Sequence, residues 1–264
     1  MPTPGSVGPL LRRWRVLRGK SQLDLSVEAE VSTRHISFLE NGRATPSRDM
    51  LLVLASALDI PLRERNTLLL SAGFAPVYQE TSLDAPSMAQ VRAALDCILE
   101  QTEPNGAVVL DRAWRALRMN GGARRILTAF LSDPSLVAEL DGNLGLALFD
   151  RRGFRDALVN FEDVAGSIVA RLHRDAAAEG REGPAQKLLD RVLAMPGVPR
   201  RWHEPSPGVA PDVLLPVHLR RGDLEVRLFT TLTTLGTPLD VTLEELRIES
   251  YYPADDATAR WLRD

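Results

Sequence analysis

Residues 21–42 read SQLDLSVEAEVSTRHISFLENG, and this stretch constrains everything built around it. Ser21 is placed to N-cap a short helix, with Asp24 three residues on in the capping-box position. Leu25, Ala29 and Val31 point one way. Ser32 is placed to N-cap a second helix, whose Ile36 and Leu39 share a face at i, i+3. Asn41-Gly42 stops it, because glycine adopts the left-handed conformation that ends a helix. Two short helices, a tight turn and a shared apolar corner make a helix-turn-helix, the arrangement that lays its second helix in the DNA major groove.

The flanks extend the pattern. Residues 10–18 predict a preceding helix with Leu10, Trp14 and Leu17 on one face and Arg12, Arg13, Arg15 and Arg18 elsewhere. Residues 1–8, rich in Pro, Gly and Ser, are expected to be disordered. Pro46-Ser47 starts a fourth helix, with Leu51, Leu54, Ala55 and Leu58 at helical spacing, and Pro61 opens a fifth that runs to Gly73.

Gln22, Leu25, Ser26, Val31, Ser32, Ile36, Ser37, Leu39, Glu40, Gly42 and Pro46-Ser47 together resemble the XRE, or lambda-repressor-like, family. Two positions depart from it: Ser26 stands where the family usually has Ala, and Glu30 where it has Gly at the turn. Glu30 in a left-handed turn costs roughly 1 kcal/mol relative to Gly. The resemblance implies an all-α, five-helix DNA-binding domain over residues 8–73. It also makes Gln22 a contact to the DNA backbone. On the second motif helix, Thr33, Arg34, Ser37 and Phe38 lie opposite Ile36 and Leu39, with Ser32 and His35 beside them. Arg34 suits guanine O6 and N7, Thr33 and Phe38 suit a thymine methyl, and Arg43 suits a phosphate.

A chain of 264 residues suits two domains, and 44% hydrophobic content supports real cores. No run of roughly 18 apolar residues predicts a membrane span. The N-terminal stretch lacks the apolar core of a signal peptide. The single cysteine, Cys97, excludes an internal disulfide, fits a reducing cytoplasm and is expected to be buried. Residues 1–70 carry ten Lys and Arg against seven Asp and Glu, a net of +3, which leaves −6 for residues 71–264. A mildly basic head on an acidic body fits a head that binds nucleic acid.

Residues 74–103 read as a linker with two prolines followed by a connecting helix with Val91, Leu95, Ile98 and Leu99 on one face. From Pro104 the pattern changes. Residues 107–110 and 114–119 read as a hairpin, with the Gly121-Gly122 turn leading into a helix over 123–130. Residues 161–174 and 186–195 predict further helices, and 214–219, 224–232 and 246–252 predict three closing strands. Leu224, Val226, Leu228 and Thr230 face one way. The result is α+β: an antiparallel sheet with helices on one side, in an order similar to a PAS sensor domain.

Pro104-Asn105, Trp114, Asn120, Asn143 before Phe149, Val164-Ala165, Leu172, Trp202, Phe229 and the closing GTPLDVTLEELRIESYYPAD resemble the MmyB-like ligand-binding domain over residues 104–264. His173 stands where many members carry Arg. The resemblance implies a PAS-like fold with an apolar pocket and a fatty acid as the ligand class. For that pocket the residues Trp114, Phe130, Phe149, Phe161, Phe229 and Tyr251 supply apolar surface, and Asn120, His218 and Arg227 are polar candidates.

No P-loop, GxSxG or HExxH motif occurs, and the four histidines show no metal-ligand spacing, so no catalytic, metal or cofactor residues are expected. The sequence therefore predicts a cytoplasmic regulator that binds a double-stranded DNA operator as a homodimer and senses a small apolar or amphipathic ligand. A second reading makes the C-terminal domain a dimerisation or docking module without a ligand, and a third makes it an enzyme whose site the sequence conceals.

Overall fold

The computed structural model describes residues 7–179, 183–205, 216–236 and 238–264. The expectations for residues 1–6, and those that reach into 180–182, 206–215 and 237, lie outside the described residues. The chain divides into two compact units. One comprises residues up to Thr81 together with a stretch ending at Glu244; the other comprises Ser82–Gly236 and Glu245–Asp264.

The first unit contains α1 (Val7–Leu17), α2 (Gln22–Ala29), α3 (Thr33–Glu40), α4 (Arg48–Ala57) and α5 (Leu62–Ser71). Local chemistry sets the ends of these helices. Ser21 and Asp24 form a complete capping box on α2, and Ser32 and Ser47 accept hydrogen bonds from the amides of His35 and Met50. Glu30 is left-handed at φ 53° and closes α2, whereas Gly42 takes φ 68° beyond α3. Leu25, Ile36, Leu39, Leu51 and Leu54 form a nearly solvent-free centre.

Helix α1 corrects the expected boundary and face. It begins at Val7, so Val7 and Gly8 are helical, and the buried stripe is Val7, Leu11 and Trp14, with Leu17 exposed. Val7, Leu11 and Trp14 follow one another at i, i+4, i+7, so the buried stripe runs through them and leaves Leu10 at its edge. Gly8 permits the approach to α3: a β-carbon there would lie 2.5 Å from the Leu39 carbonyl oxygen.

Residues 74–81, read from sequence as linker, are strapped to α5. The Asn66 side chain accepts from the amides of Val77 and Tyr78 and donates to the Tyr78 carbonyl at 2.7 Å. The stretch before Glu244 joins this unit as well. Asp240 pairs with Gln79 and accepts from the Thr81 hydroxyl at 2.6 Å, and Val241 is buried. Glu244 accepts from the Leu62 amide at 2.7 Å, which caps α5 where Pro61 supplies no side-chain cap.

The second unit runs α6 (Ala89–Thr102), β1 (Gly106–Leu110), β2 (Ala116–Met119), α7 (Gly121–Phe130), α8 (Ser135–Glu139), α9 (Leu144–Phe149), α10 (Phe161–Glu179), α11 (Pro184–Leu193), β3 (Pro216–Arg221) and β4 (Leu224–Thr233). Helix α12 (Val241–Glu245) carries the chain into β5 (Arg247–Pro253) and α13 (Asp256–Arg263). The five strands are antiparallel in the order β2-β1-β5-β4-β3. The chain is thus an all-α helix-turn-helix unit followed by an α+β unit. The sheet is covered more widely than expected from one layer of helices. Ala107, Val109 and Ile248, which alternate with cavity-facing residues, are also buried, and α6 packs on β1.

Two local expectations change. Trp114 does not begin a strand; it sits left-handed at φ 65° in the β1–β2 connection, and β2 starts at Ala116. Cys97 is exposed, because Leu95 and Leu99 form the inward stripe of α6 and position 97 falls outside it.

Candidate DNA-reading helix and ligand cavity

The α2–turn–α3 unit holds its second helix firmly and leaves one face open. Ile36 and Leu39 are buried, Thr33, His35, Ser37 and Phe38 are half-buried, and Arg34 is exposed. The Arg34 guanidinium lies 5.2 Å from the Phe38 ring centroid, one helical turn away, so the phenyl ring braces the cation. Among the described residues Arg34 has no carboxylate partner, and its charge is open to an incoming anion or base edge.

The other predicted contacts differ in how far they are committed. Ser32 is exposed, but its hydroxyl oxygen accepts the His35 amide. Ser37 is tied to Asn41, whose side-chain amide donates to the Ser37 carbonyl at 2.8 Å. Arg43 is exposed just beyond α3. Gln22 donates to Glu40 at 2.8 Å. Glu40, buried at the end of α3, also receives two hydrogen bonds from Arg15 at 2.6 and 2.9 Å. Burial disfavours the Glu40 carboxylate, but the hydrogen bonds from Arg15 and Gln22 outweigh it and hold the carboxyl below its ordinary range.

In the second unit, a cavity of about 230 Å³ lies between the sheet and the helices. Val108 and Leu110 of β1, Val217 and Leu219 of β3, Leu228 and Thr230 of β4, and Glu249 and Tyr251 of β5 form its floor. These are alternate positions on each strand, so one sheet face supplies them all. Helices α7, α9 and α10 contribute apolar side chains to the opposite wall, with Arg171 from α10 and the Trp114 ring. Arg171 lies 5.2 Å from the Trp114 ring centroid.

Of the nine residues predicted for the pocket, the structure brings Trp114 and Tyr251 to this cavity. The other seven do not line it. Asn120 is a structural cap: its side chain accepts from the amides of Ala107 and Ala123 and donates to the Leu99 and Asn105 carbonyls. Phe130 is fully buried, edge-on to Trp261 at 5.9 Å. Phe149 and Phe161 pack edge to face at 5.9 Å, with Trp202 completing the cluster. Phe229 stacks on Tyr252 at 5.4 Å, and His218 faces Glu225 at 2.7 Å on the sheet face opposite Val217 and Leu219. Arg227 is exposed and donates to the same Glu225.

Sequence reasoning missed Arg171 and Glu249. Both had a signal. Arg171 interrupts the apolar stripe of Val164 and Ile168 on α10, and Glu249 alternates with Tyr251 on β5.

The Gly121-Gly122 turn carries no free anion site. The Glu103 carboxylate accepts from both glycine amides, with Gly122 at 3.1 Å, and already occupies the start of α7. Among the described residues no group of three or more His, Cys, Asp or Glu side chains is arranged to hold a metal ion, and no helix is long and apolar enough to cross a membrane.

Residues 91–264 match the family model described as MmyB-like transcription regulator ligand binding domain, and residues 11–65 match the helix-turn-helix family model. Two curated proteins named transcriptional regulator ClgR, from Mycobacterium tuberculosis strains CDC 1551 / Oshkosh and ATCC 25618 / H37Rv, are each 35% identical over 74 residues. That alignment covers 28% of this chain and 63% of each relative, so the chain spans less than two thirds of the curated relatives it matches.

Proposed function

The chain belongs to the MmyB-like transcription regulator ligand-binding family, and from that premise we propose that it is a DNA-binding transcription regulator controlled by a small ligand. The head reads a double-stranded operator in sequence-specific fashion through α3. Arg34 meets base edges, with Thr33, His35, Ser37 and Phe38 beside it, while Gln22, Ser32 and Arg43 position the head on the backbone. One short helix reads too few bases to be selective, so the protein works as a homodimer on paired half-sites about 34–36 Å apart. Its setting is the cytoplasm.

The observation that carries the ligand reading is the cavity bounded by the sheet and α7, α9 and α10. A second unit that only dimerises or docks a protein expects that space to be filled by side chains. An apolar lining with few polar groups suits a small apolar or amphipathic molecule, and a fatty-acid-like ligand is the reading we favour. The strand order β2-β1-β5-β4-β3 supports treating this unit as PAS-like. A ligand regulates DNA binding only if it favours one dimer geometry over another.

Native mass spectrometry of the purified protein, followed by denaturing extraction, tests this reading. The expected result is a dimer carrying extra mass that is released as an amphipathic small molecule. A monomer that stays ligand-free when incubated with medium-chain fatty acids overturns both parts.

A further inference from the structure

A cluster of ionisable side chains interrupts the mostly apolar lining of the cavity: Arg171 on α10, and Glu249 and Tyr251 on β5. Arg171 and Glu249 interact electrostatically, yet Glu249 makes no ion pair with any described residue. Arg171 is held from other sides, by the Trp114 ring at 5.2 Å and by Asp175 at 3.9 Å. Two groups of opposite intrinsic charge thus border one small cavity without closing on each other.

We propose that Arg171 and Glu249 are the two jaws of a head-group site, which takes the carboxylate of an amphipathic ligand between them. This deepens the ligand reading above and rests on it.

The chemistry follows from the surroundings. Glu249 lines the cavity and is half-buried there, and desolvation raises its pKa; Arg171 and the Tyr251 hydroxyl act the other way. Desolvation likewise pushes the Tyr251 hydroxyl well up, with the adjoining Glu249 adding to it, so Tyr251 stays neutral. The groups facing Glu249 are therefore Arg171 across the cavity and Tyr251 on its own strand. Around Arg171, Asp175 also accepts a hydrogen bond from Arg247 at 3.3 Å, and exposed Arg174 adds positive potential. With Glu249 neutral, Arg171 and Arg247 outnumber Asp175, and one positive charge is left for a ligand to meet. A ligand carboxylate then accepts from Arg171 and from the Glu249 hydroxyl, both charge-assisted hydrogen bonds. Ionised Glu249 instead repels that carboxylate, so binding is linked to the proton on Glu249.

Calorimetric titration of the full-length protein with decanoate and with 1-decanol, from about pH 5.5 to pH 9, tests the assignment. The expected result is that decanoate binds about tenfold or more tightly than decanol at the acidic end. Its affinity then falls as pH rises, while that of decanol stays level. Glu249→Gln keeps a hydrogen-bond donor that cannot ionise, so it should flatten the decanoate profile. Arg171→Gln should abolish the preference for decanoate, and Tyr251→Phe, which removes one hydroxyl, should shift the pH profile without abolishing binding. Equal binding of both probes by the wild-type protein, with parallel pH profiles, overturns the head-group site and leaves the apolar cavity standing. Failure of both probes to bind overturns the cavity reading itself.

Discussion

Glu40, the last residue of α3, is gripped by Arg15 of α1 through two hydrogen bonds of 2.6 and 2.9 Å, with side chains that are only 3% and 11% exposed. The pair therefore fixes α3 against α1, and Gln22 at the start of α2 joins the same carboxylate. Removing one member of a buried pair leaves the other uncompensated, at a cost of about 3–5 kcal/mol. Glu40→Ala should therefore lower the thermal midpoint of the head sharply, as read by circular dichroism.

The same pair gives a pH dependence of known sign. The folded-state pKa of Glu40 lies below its ordinary value, so its contribution to stability is complete above the unfolded carboxyl pKa of about 4.3 and is lost as pH falls through the folded value. Denaturant titrations should show wild-type and Glu40→Gln stabilities converging below about pH 4.

On the proposed function, Arg34 and Arg43 should make two different kinds of DNA contact. Arg34→Ala should cost about 1–3 kcal/mol on the best sequence and relax preference at one base pair. Arg43→Ala should weaken all sequences alike and reduce the salt slope by about one. Fluorescence anisotropy on specific and scrambled duplexes at several salt concentrations distinguishes them.

The Leu62 amide at the start of α5 relies on Glu244, which is remote in sequence. Glu244→Ala removes a side-chain cap and a favourable charge at a helix N-terminus, a loss of about 1 kcal/mol. Hydrogen exchange should then accelerate at the first turn of α5 more than at α2, whose capping box is local.

Gly122 opens α7 with no room for a side chain. A β-carbon would stand 2.4 Å from the Pro104 carbonyl oxygen and 2.6 Å from that of Asn105. Both obstacles are backbone, so Gly122→Ala forces a shift and should destabilise the second unit by about 1–3 kcal/mol in a chemical melt.

What was legible in the sequence was what depends on neighbours in the chain. Ser21, Asp24, Ser32, Ser47 and Gly42 end their helices through partners within a few residues, and the inward set Leu25, Ala29, Val31, Ile36 and Leu39 follows from periodicity. The cavity depends on which faces meet across the fold. Choosing its lining by aromatic size selected Phe130 and Phe149, which are large enough to fill the interior themselves. Strand alternation held more information than was drawn from it. Once Leu228 and Thr230 face inward, Phe229 between them faces out, and the same rule puts His218 opposite Val217 and Leu219. The Glu244 cap and the Glu103 cap on α7 join segments far apart in the chain, and no local pattern announces them.

The central claim, a paired reading of DNA by α3, is tested most directly by selecting duplexes from a randomised pool with the full-length protein and sequencing the bound fraction. The account predicts a two-fold symmetric consensus with half-site centres one helical turn apart, and its loss in Arg34→Ala. Recovery of no enriched sequence by a folded wild-type protein at low salt, or of a consensus unchanged by Arg34→Ala, would contradict it.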